Sequence, residues 1–350
     1  MSKLKVAVLF GGQSSEYSVS LHSASSALRK MPKDYALTLI GISQKGNWYY
    51  YEGSIDQIEH DHWLKGKITP ATLSLDPKDH GFIIHDKKQL RIKKVDVIFP
   101  ILHGTHGEDG TVQAACELAG IPCVGCGMTS SALCMDKEYT HIVADHLNVP
   151  MAKWLCVRQN ENRDDHKLFN QVKKEIGLPC IIKPCNAGSS YGVSKASNEA
   201  EFLAGLKDAY QYDCKLIIEE FMKGFEVGCA VMSNKNSIVI GLNDEIEMKD
   251  AFFSFEEKYT PKTSVIHVPA RIAKKTVKEL NALATTMYKG LDCKGMARVD
   301  CFIVNQKVYL NELNSIPGFT GNSRFPTMMA KAGHPFEEVI RYLVDAALEG

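Results

Sequence analysis

Two stretches near the C-terminal end, MARVDCFIV (296–304) and VYLNELN (308–314), are rich in apolar and β-branched residues, and Asn305-Gln306-Lys307 joins them. That composition predicts a hairpin. A register centred on Gln306 sets Asp300 opposite Glu312 and Arg298 opposite Asn314. All four share parity with Phe302, Val304, Val308 and Leu310, so strict alternation puts all eight on one face. Directly opposed Cβ atoms stand about 4.5–5.5 Å apart. Two carboxylates at that distance repel unless a cation lies between them, and Asp, Glu and Asn oxygens are the hard ligands that Mg²⁺ prefers. The competing reading is a polar surface hairpin in which Arg298 merely neutralises Asp300.

Glycine-rich loops supply the other half of a phosphate chemistry. NAGSSYG (186–192) follows a strand containing Lys183, so its backbone N–H groups could wrap phosphate oxygens while the ammonium adds a point charge. No Gly-Lys-Ser/Thr follows, which excludes a P-loop. GGQSSEYSVS (11–20) puts Ser and Glu at a helix start, where orphan N–H groups attract anions. The plainer reading is capping by Ser15 or Ser18, with Glu16 favouring the dipole. GxGxxG is absent there, so a dinucleotide fold is not supported. HGTHGEDG (103–110) offers His103, His106, Glu108 and Asp109 in a spacing that fits no established zinc motif; a substrate-binding loop using one imidazole and one carboxylate is expected instead. CVGC (123–126) lacks a second Cys pair and is read as structural.

The elements that must position these groups fall in three stretches. Strands at 5–10, 35–42, 95–102 and 121–125 alternate with helices at 18–30 and 110–120, the pattern of a parallel sheet flanked by helices. Residues 50–94 read as an insertion with small antiparallel strands of its own. From 128 the pattern changes to α+β. A helical stretch reaches 147 and is followed by strands at 153–157 and 180–184 and helices at 164–176 and 199–210. Three antiparallel strands follow at 216–222, 226–232 and 237–245. The helix 271–290, the hairpin and a last helix at 335–348 close the chain. The polar, aromatic segment 249–265 has no clear periodicity and is the natural lid. The domains expected are 1–127, 128–215 and 216–350.

Composition excludes several classes. Of 350 residues 45% are hydrophobic, and 41 basic residues balance 41 acidic ones along the chain, which argues against a long-range grip on nucleic acid or membrane. No stretch reaches the length of a membrane span. Eleven scattered cysteines suit a reducing cytosol, so a cytoplasmic protein is expected.

GGQSSEYSVS, HGTHGEDGTVQ, MDKEYT, IIKPCNAGSSYGVS, IIEEFMKGFEVG, FEEKY, GMARVDCF and NELNSIPGFT, in this order, resemble the D-alanine–D-alanine ligases of the ATP-grasp superfamily. The resemblance implies an N-terminal doubly wound α/β domain followed by a two-lobed ATP-grasp, with ATP between the lobes. It implies that Lys137 and Lys183 hold phosphates, that Glu219, Glu220, Met222 and Glu226 line the adenosine site, and that Lys258 closes over the phosphates. Glu220 departs from the Lys of many relatives, so adenine would be read by the backbone. Asp300, Glu312 and Asn314 would bind two Mg²⁺ ions, or Mn²⁺ in their place.

Glu16 would take the first substrate's ammonium, with His103 near its carboxylate. Ser189 and Tyr259 would bond with Glu16, Arg298 and the Gly318 N–H would stabilise an oxyanion, and Ser323 and Arg324 would meet the second substrate. The family joins two D-alanines through a D-alanyl phosphate in peptidoglycan precursor synthesis, and homodimers form through the N-terminal domains. Ordinary members carry an apolar residue, often Leu, where this chain has Arg324, and Tyr where it has Phe253. SIPGFTGNSRFP resembles instead the vancomycin-resistance ligases, and retention of Tyr259 implies an amine rather than D-lactate, so D-serine is the expected second substrate. A nucleotide-binding regulator with a dead site is the alternative of a different class; the complete set of acids and lysines argues against it.

Overall fold

The apolar run Val6–Phe10 is buried on both faces, as an interior strand between layers must be. In the computed structural model, which describes residues 3–87, 89–189, 191–248 and 264–349, this run lies in β1 (Leu4–Gly11). It pairs in parallel with β2 (Tyr35–Ile42) and with β7 (Val97–Pro100). Between β2 and β7 the chain makes β3 (Trp48–Tyr51), β4 (Ile68–Leu73), β5 (Gly81–His85) and β6 (Leu90–Lys94), each antiparallel to its predecessor. The sheet order is β6-β5-β4-β3-β2-β1-β7. The expected insertion is therefore no separate unit: it continues the sheet, which is mixed rather than parallel throughout. The strand expected at 121–125 is reduced to one bridge, Ile98 to Cys123. Helix α1 (Tyr17–Leu28), the short α2 (Ile55–Glu59) and α3 (Thr111–Leu118) complete this region.

The helical stretch from 128 is two helices, α4 (Met128–Met135) and α5 (Lys137–His146), parted at Asp136, whose extended backbone and side-chain bond to Glu138 N cap the second. A four-stranded sheet follows, ordered β10-β9-β11-β8. It contains β8 (Trp154–Arg158), β9 (Cys180–Pro184), β10 (Ser194–Ala196) and β11 (Lys215–Glu220), with α6 (Asp165–Glu175) and α7 (Glu199–Ala209) packed on it. Strand β11, expected to join the strands after it, pairs instead with β8 and β9.

The third sheet runs β15-β14-β12-β16-β17, with β13 paired to β12. Its strands are β12 (Phe225–Ser233), β13 (Ile238–Ile240), β14 (Asp244–Met248), β15 (Ser264–His267), β16 (Gly295–Val304) and β17 (Lys307–Asn314). The single strand expected at 237–245 is thus β13 and the start of β14. Helix α8 (Lys274–Gly290) packs behind this sheet, and α9 (Arg324–Lys331) and α10 (Phe336–Glu349) end the chain.

Cores and chain order do not coincide. Cys134, Ala144 and Val149, at or beside α4 and α5, are buried with Met287, Val299 and Leu310 of the third sheet's layer. Phe319, Phe325, Ile340 and Leu343 are buried with Val6, Val8 and Phe99 of the first sheet. Packed cores therefore draw on residues from both sides of positions 127 and 215. No helix of the described residues is long and apolar enough to cross a membrane.

Candidate active site

The β16–β17 turn is tighter than expected. Asn305 and Gln306, at φ 48° and 65°, form a two-residue turn, and Val304 pairs with Lys307. A bulge then shifts the register, so Cys301 pairs with Leu310 while Asp300 faces Glu312 and Arg298 faces Asn314. The acid pair stands as read from the sequence. Val308 and Leu310 do not share its face: the extra residue, Asn311, moves them to the buried apolar side with Val299, Cys301 and Leu313.

Asp300 is 1% exposed and meets its countercharges directly. Arg298 Nη2 and Nε donate to it at 2.7–3.0 Å, and Asn314 Nδ2 donates to Oδ2 at 3.0 Å. Arg324 Nη2 lies 3.2 Å from Oδ1. Arg324 also grips Asp244 through Nε at 2.7 Å and Nη2 at 2.9 Å, and donates from Nη1 to Glu226 at 2.7 Å. Burial opposes charge on Asp244, but Arg324 and Arg298 outweigh it and hold the carboxyl below its usual range. Cation neutralisation, the competing reading of the hairpin, is therefore present beside the oxygen cluster. The donor set still suits a hard divalent cation, since Asp300, Glu312 and Asn314 bring oxygen ligands to one sheet face. For Asp300 to join, one of its present partners must give way.

Lys183 of β9 lies 2.5 Å from Glu219 of β11 and donates to Asn311 Oδ1 at 3.2 Å, so the bulge residue reaches across to the central sheet. Burial alone would lower the Lys183 pKa; Glu219, with Glu312 and Glu226 beyond, outweighs it and raises the value. Glu219 is likewise pushed up by burial and pulled further down by Lys183 and His141. Lys137, the first residue of α5, donates to the Ala187 carbonyl in the glycine-rich loop at 3.0 Å.

Glu16 caps α1 by position, although its side chain makes no capping bond, and neither Ser15 nor Ser18 holds that place. Instead the Ser189 hydroxyl donates to Glu16 Oε1, joining first domain to loop. Gly188 lets the loop come this close, since a Cβ there would stand 2.5 Å from Glu16 Oε2. His103 Nε2 is 3.0 Å from Ser23 Oγ, and its Nδ1 is 4.0 Å from Glu108.

These groups border one cavity of about 840 Å³, lined by Glu16, His103, Ser189, Lys137, Lys183 and Arg298, and by Glu312, Asn314 and Gly318. Glu219, Glu220, Met222 and Glu226 line the same cavity. Ser323 and Arg324 are not in this wall: Ser323 Oγ accepts from Thr320 N at the start of α9, and Arg324 is held in the carboxylate cluster. Phe253, Lys258 and Tyr259, with most of the expected lid, lie outside the described residues. Sequence reasoning missed Asp244, His141 and Asn311. Only Asp244 had a signal, through Gly228 in a strand interior: a Cβ there would stand 2.5 Å from both Arg324 Nη2 and Asp244 Oδ1. CVGC holds no disulfide; all eleven cysteines are free.

Residues 5–126 match the family described as D-ala D-ala ligase N-terminus, and residues 143–345 match D-ala D-ala ligase C-terminus. The chain belongs to the D-alanine–D-alanine ligase family. It is an ATP-dependent ligase with the ATP-grasp fold. It is 39% identical over 350 residues to the D-alanine–D-alanine ligase of Clostridium acetobutylicum, covering 99% of this chain and 98% of that one. It is 38% identical over 347 residues to the vancomycin C-type resistance protein VanC1 of Enterococcus gallinarum, covering 99% and 98%. The crystal structure of the VanG D-Ala:D-Ser ligase from Enterococcus faecalis superposes with a TM-score of 0.90 at 39% identity and 99% coverage of both chains.

Proposed function

We propose that this ligase activates D-alanine as its acyl phosphate and joins it to a second D-amino acid, with D-serine preferred. The observation that carries the first half is the cavity itself. Glu16, which we assign to the substrate ammonium, and Lys137 and Lys183, which we assign to the phosphates, line one cavity of about 840 Å³. The D-alanine carboxylate attacks the γ-phosphorus, the bond to the ADP oxygen breaks, and the electron pair leaves with ADP. The second amine then attacks the acyl carbon, loses a proton, and phosphate departs. Both reactants of the first step are anions, so positive charge must precede chemistry. Lys137, Lys183 and Arg298 supply part of it, and Mg²⁺ held by Asp300, Glu312 and Asn314 would supply the rest by neutralising phosphate oxygens. Arg298 and the Gly318 N–H are assigned to the tetrahedral oxyanion. We assign Tyr259 to the Glu16–Ser189 bond, Lys258 to the phosphates, and a homodimer to the first domain.

The second substrate is read from Phe253, Ser323 and Arg324, and from the likeness to a D-Ala:D-Ser ligase. A guanidinium in place of an apolar side chain, were it to reach the second substrate, would favour a hydroxyl over a methyl by about 1–3 kcal/mol, roughly tenfold to hundredfold. One observation favours D-alanine instead: Arg324 already satisfies Asp244, Glu226 and Asp300, and a satisfied guanidinium does not demand a substrate hydroxyl. Competition between D-alanine, D-serine and D-lactate near neutral pH, repeated with Arg324→Leu, separates the two. D-alanyl-D-serine as main product supports the proposal; mainly D-alanyl-D-alanine from the unaltered protein overturns it.

A further inference from the structure

Helix α1 carries Ser20, Ser23 and Ser26 at intervals of three residues, so successive hydroxyls stand on adjoining turns. Serine inside a helix ordinarily bonds back to its own backbone one turn earlier. These three reach chain outside the helix instead. Ser20 Oγ accepts from the Gly11 N–H at 2.9 Å and donates to the Ile101 carbonyl. Ser23 Oγ accepts from the Phe319 N–H at 3.4 Å and is 3.0 Å from His103 Nε2. Ser26 Oγ accepts from the Gly321 N–H at 3.0 Å. Of the three, Ser23 has the partners that matter for substrate: His103 borders the cavity, and Phe319 follows Gly318, which borders it too. Those partners lie 80 and 296 residues away in the chain, and the Ser23 side chain is fully buried between them.

We propose that Ser23 is a positioning residue for D-alanine, setting with one hydroxyl both the His103 imidazole and the peptide that follows Gly318. The inference rests on the ligase reading and adds to it a residue outside every motif that carries that reading. Gly318 stands between Pro317, whose ring fixes φ, and Phe319. It has no side chain to restrict its own dihedrals, so the direction of its N–H depends on what anchors the peptides around it. Ser23 anchors the peptide after it, and Ser26 holds the same loop three residues on, at Gly321. On the other side Ser14, just ahead of α1, donates to the His103 carbonyl at 2.7 Å, so that residue is held by its backbone as well as its ring. Loss of the Ser23 hydroxyl releases one anchor of each loop at once. The groups assigned to the substrate carboxylate and to the oxyanion then lose alignment, not charge.

The test has two arms and two variants. Ser23→Cys nearly keeps the volume but exchanges a good hydrogen-bonding group for a weak one, and Ser23→Ala removes it. In steady-state kinetics both are expected to lower kcat and to raise KM for D-alanine, each by roughly threefold to tenfold, as loss of one or two hydrogen bonds between neutral groups gives. KM for ATP should stay within about twofold. A Cys variant that matches the unaltered protein shows that Ser23 only fills space and overturns the assignment. So does a fall in kcat with both KM values unchanged, which is a loss of folded enzyme, or a KM for ATP that rises as much as that for D-alanine. In amide exchange the Phe319 N–H should be protected in the unaltered protein and exchange on the order of tenfold faster in Ser23→Cys, with β1 and β7 unchanged. Equal protection of Phe319 in the two proteins overturns the inference. Should neither variant fold, the unaltered protein decides: a protected Phe319 amide supports the tie and an unprotected one overturns it. If the unaltered protein releases no phosphate in response to D-amino acids, the ligase reading fails, and Ser23 is judged by exchange alone.

Discussion

Arg324 spends its guanidinium on three carboxylates, and Asp244, the most deeply buried of them, has the larger share of its donors. A buried charge of this kind is tolerated because its partner is fixed beside it; remove one and the other is stranded. Asp244→Asn should therefore destabilise the protein by about 3–5 kcal/mol at neutral pH. The pH dependence follows from its folded pKa lying below the ordinary value of 3.8. Stability from the ionised form is present above the ordinary carboxylate range and is lost as pH falls through the lowered folded value. The gap between variant and unaltered protein should thus narrow as urea titrations move from pH 7 toward pH 3; a constant gap would show that Asp244 contributes shape, not charge. At this scale the sequence was legible where partners were near in number. Asp300, Glu312 and Asn314 lie on adjacent strands of one hairpin, and alternation finds them. Glu226 and Asp244 meet Arg324 from 98 and 80 residues away, and no local periodicity carries such a pairing.

Between β16 and β17 the bulge decides which face each residue takes. From the turn outward, Val308 and Leu310 are buried behind the sheet, and without an extra residue Glu312 would stand one place closer to the turn. The register read from the sequence erred by one residue at the turn and was right at the acids, because the bulge absorbs the difference. No propensity marks Asn311 as extra. Its place becomes meaningful only when Lys183 of another sheet reaches it. Deleting Asn311 should give a regular ladder that still sets Glu312 opposite Asp300 and Asn314 opposite Arg298. The variant should fold, with hydrogen exchange along β16 and β17 close to the unaltered protein, yet show a raised KM for ATP because Lys183 has lost an anchor. Global loss of exchange protection would mean that the bulge serves folding rather than the contact between lobes.

Taken whole, the molecule is tied together across its sequence ends. Phe319 packs edge-on against Phe99 of β7 and Phe336 at the start of α10, ring centres 5.6 and 5.0 Å apart, and lies tilted on Phe325 of α9 at 6.3 Å. Its N–H donates to Ser23 Oγ at 3.4 Å, and the same oxygen meets His103 Nε2 at 3.0 Å. One residue before it stands Gly318, assigned to the oxyanion. Alternating strands and helices made a first domain legible from the sequence, but not that its sheet finishes its core with helices some three hundred residues later, since a hydrophobic face does not name its partner. Phe319→Ala should cost about 3–5 kcal/mol, because it deletes a fully buried ring between layers that cannot collapse without moving α9 and α10. The loss should appear as one cooperative transition, with protection falling in β1 and β7 as well as in α10, and as a raised KM for D-alanine through the shared Ser23 contact to His103. Two separate transitions, the first sheet melting as before while only the C-terminal helices loosen, would show that the domains hold their own cores and that Phe319 merely covers one of them.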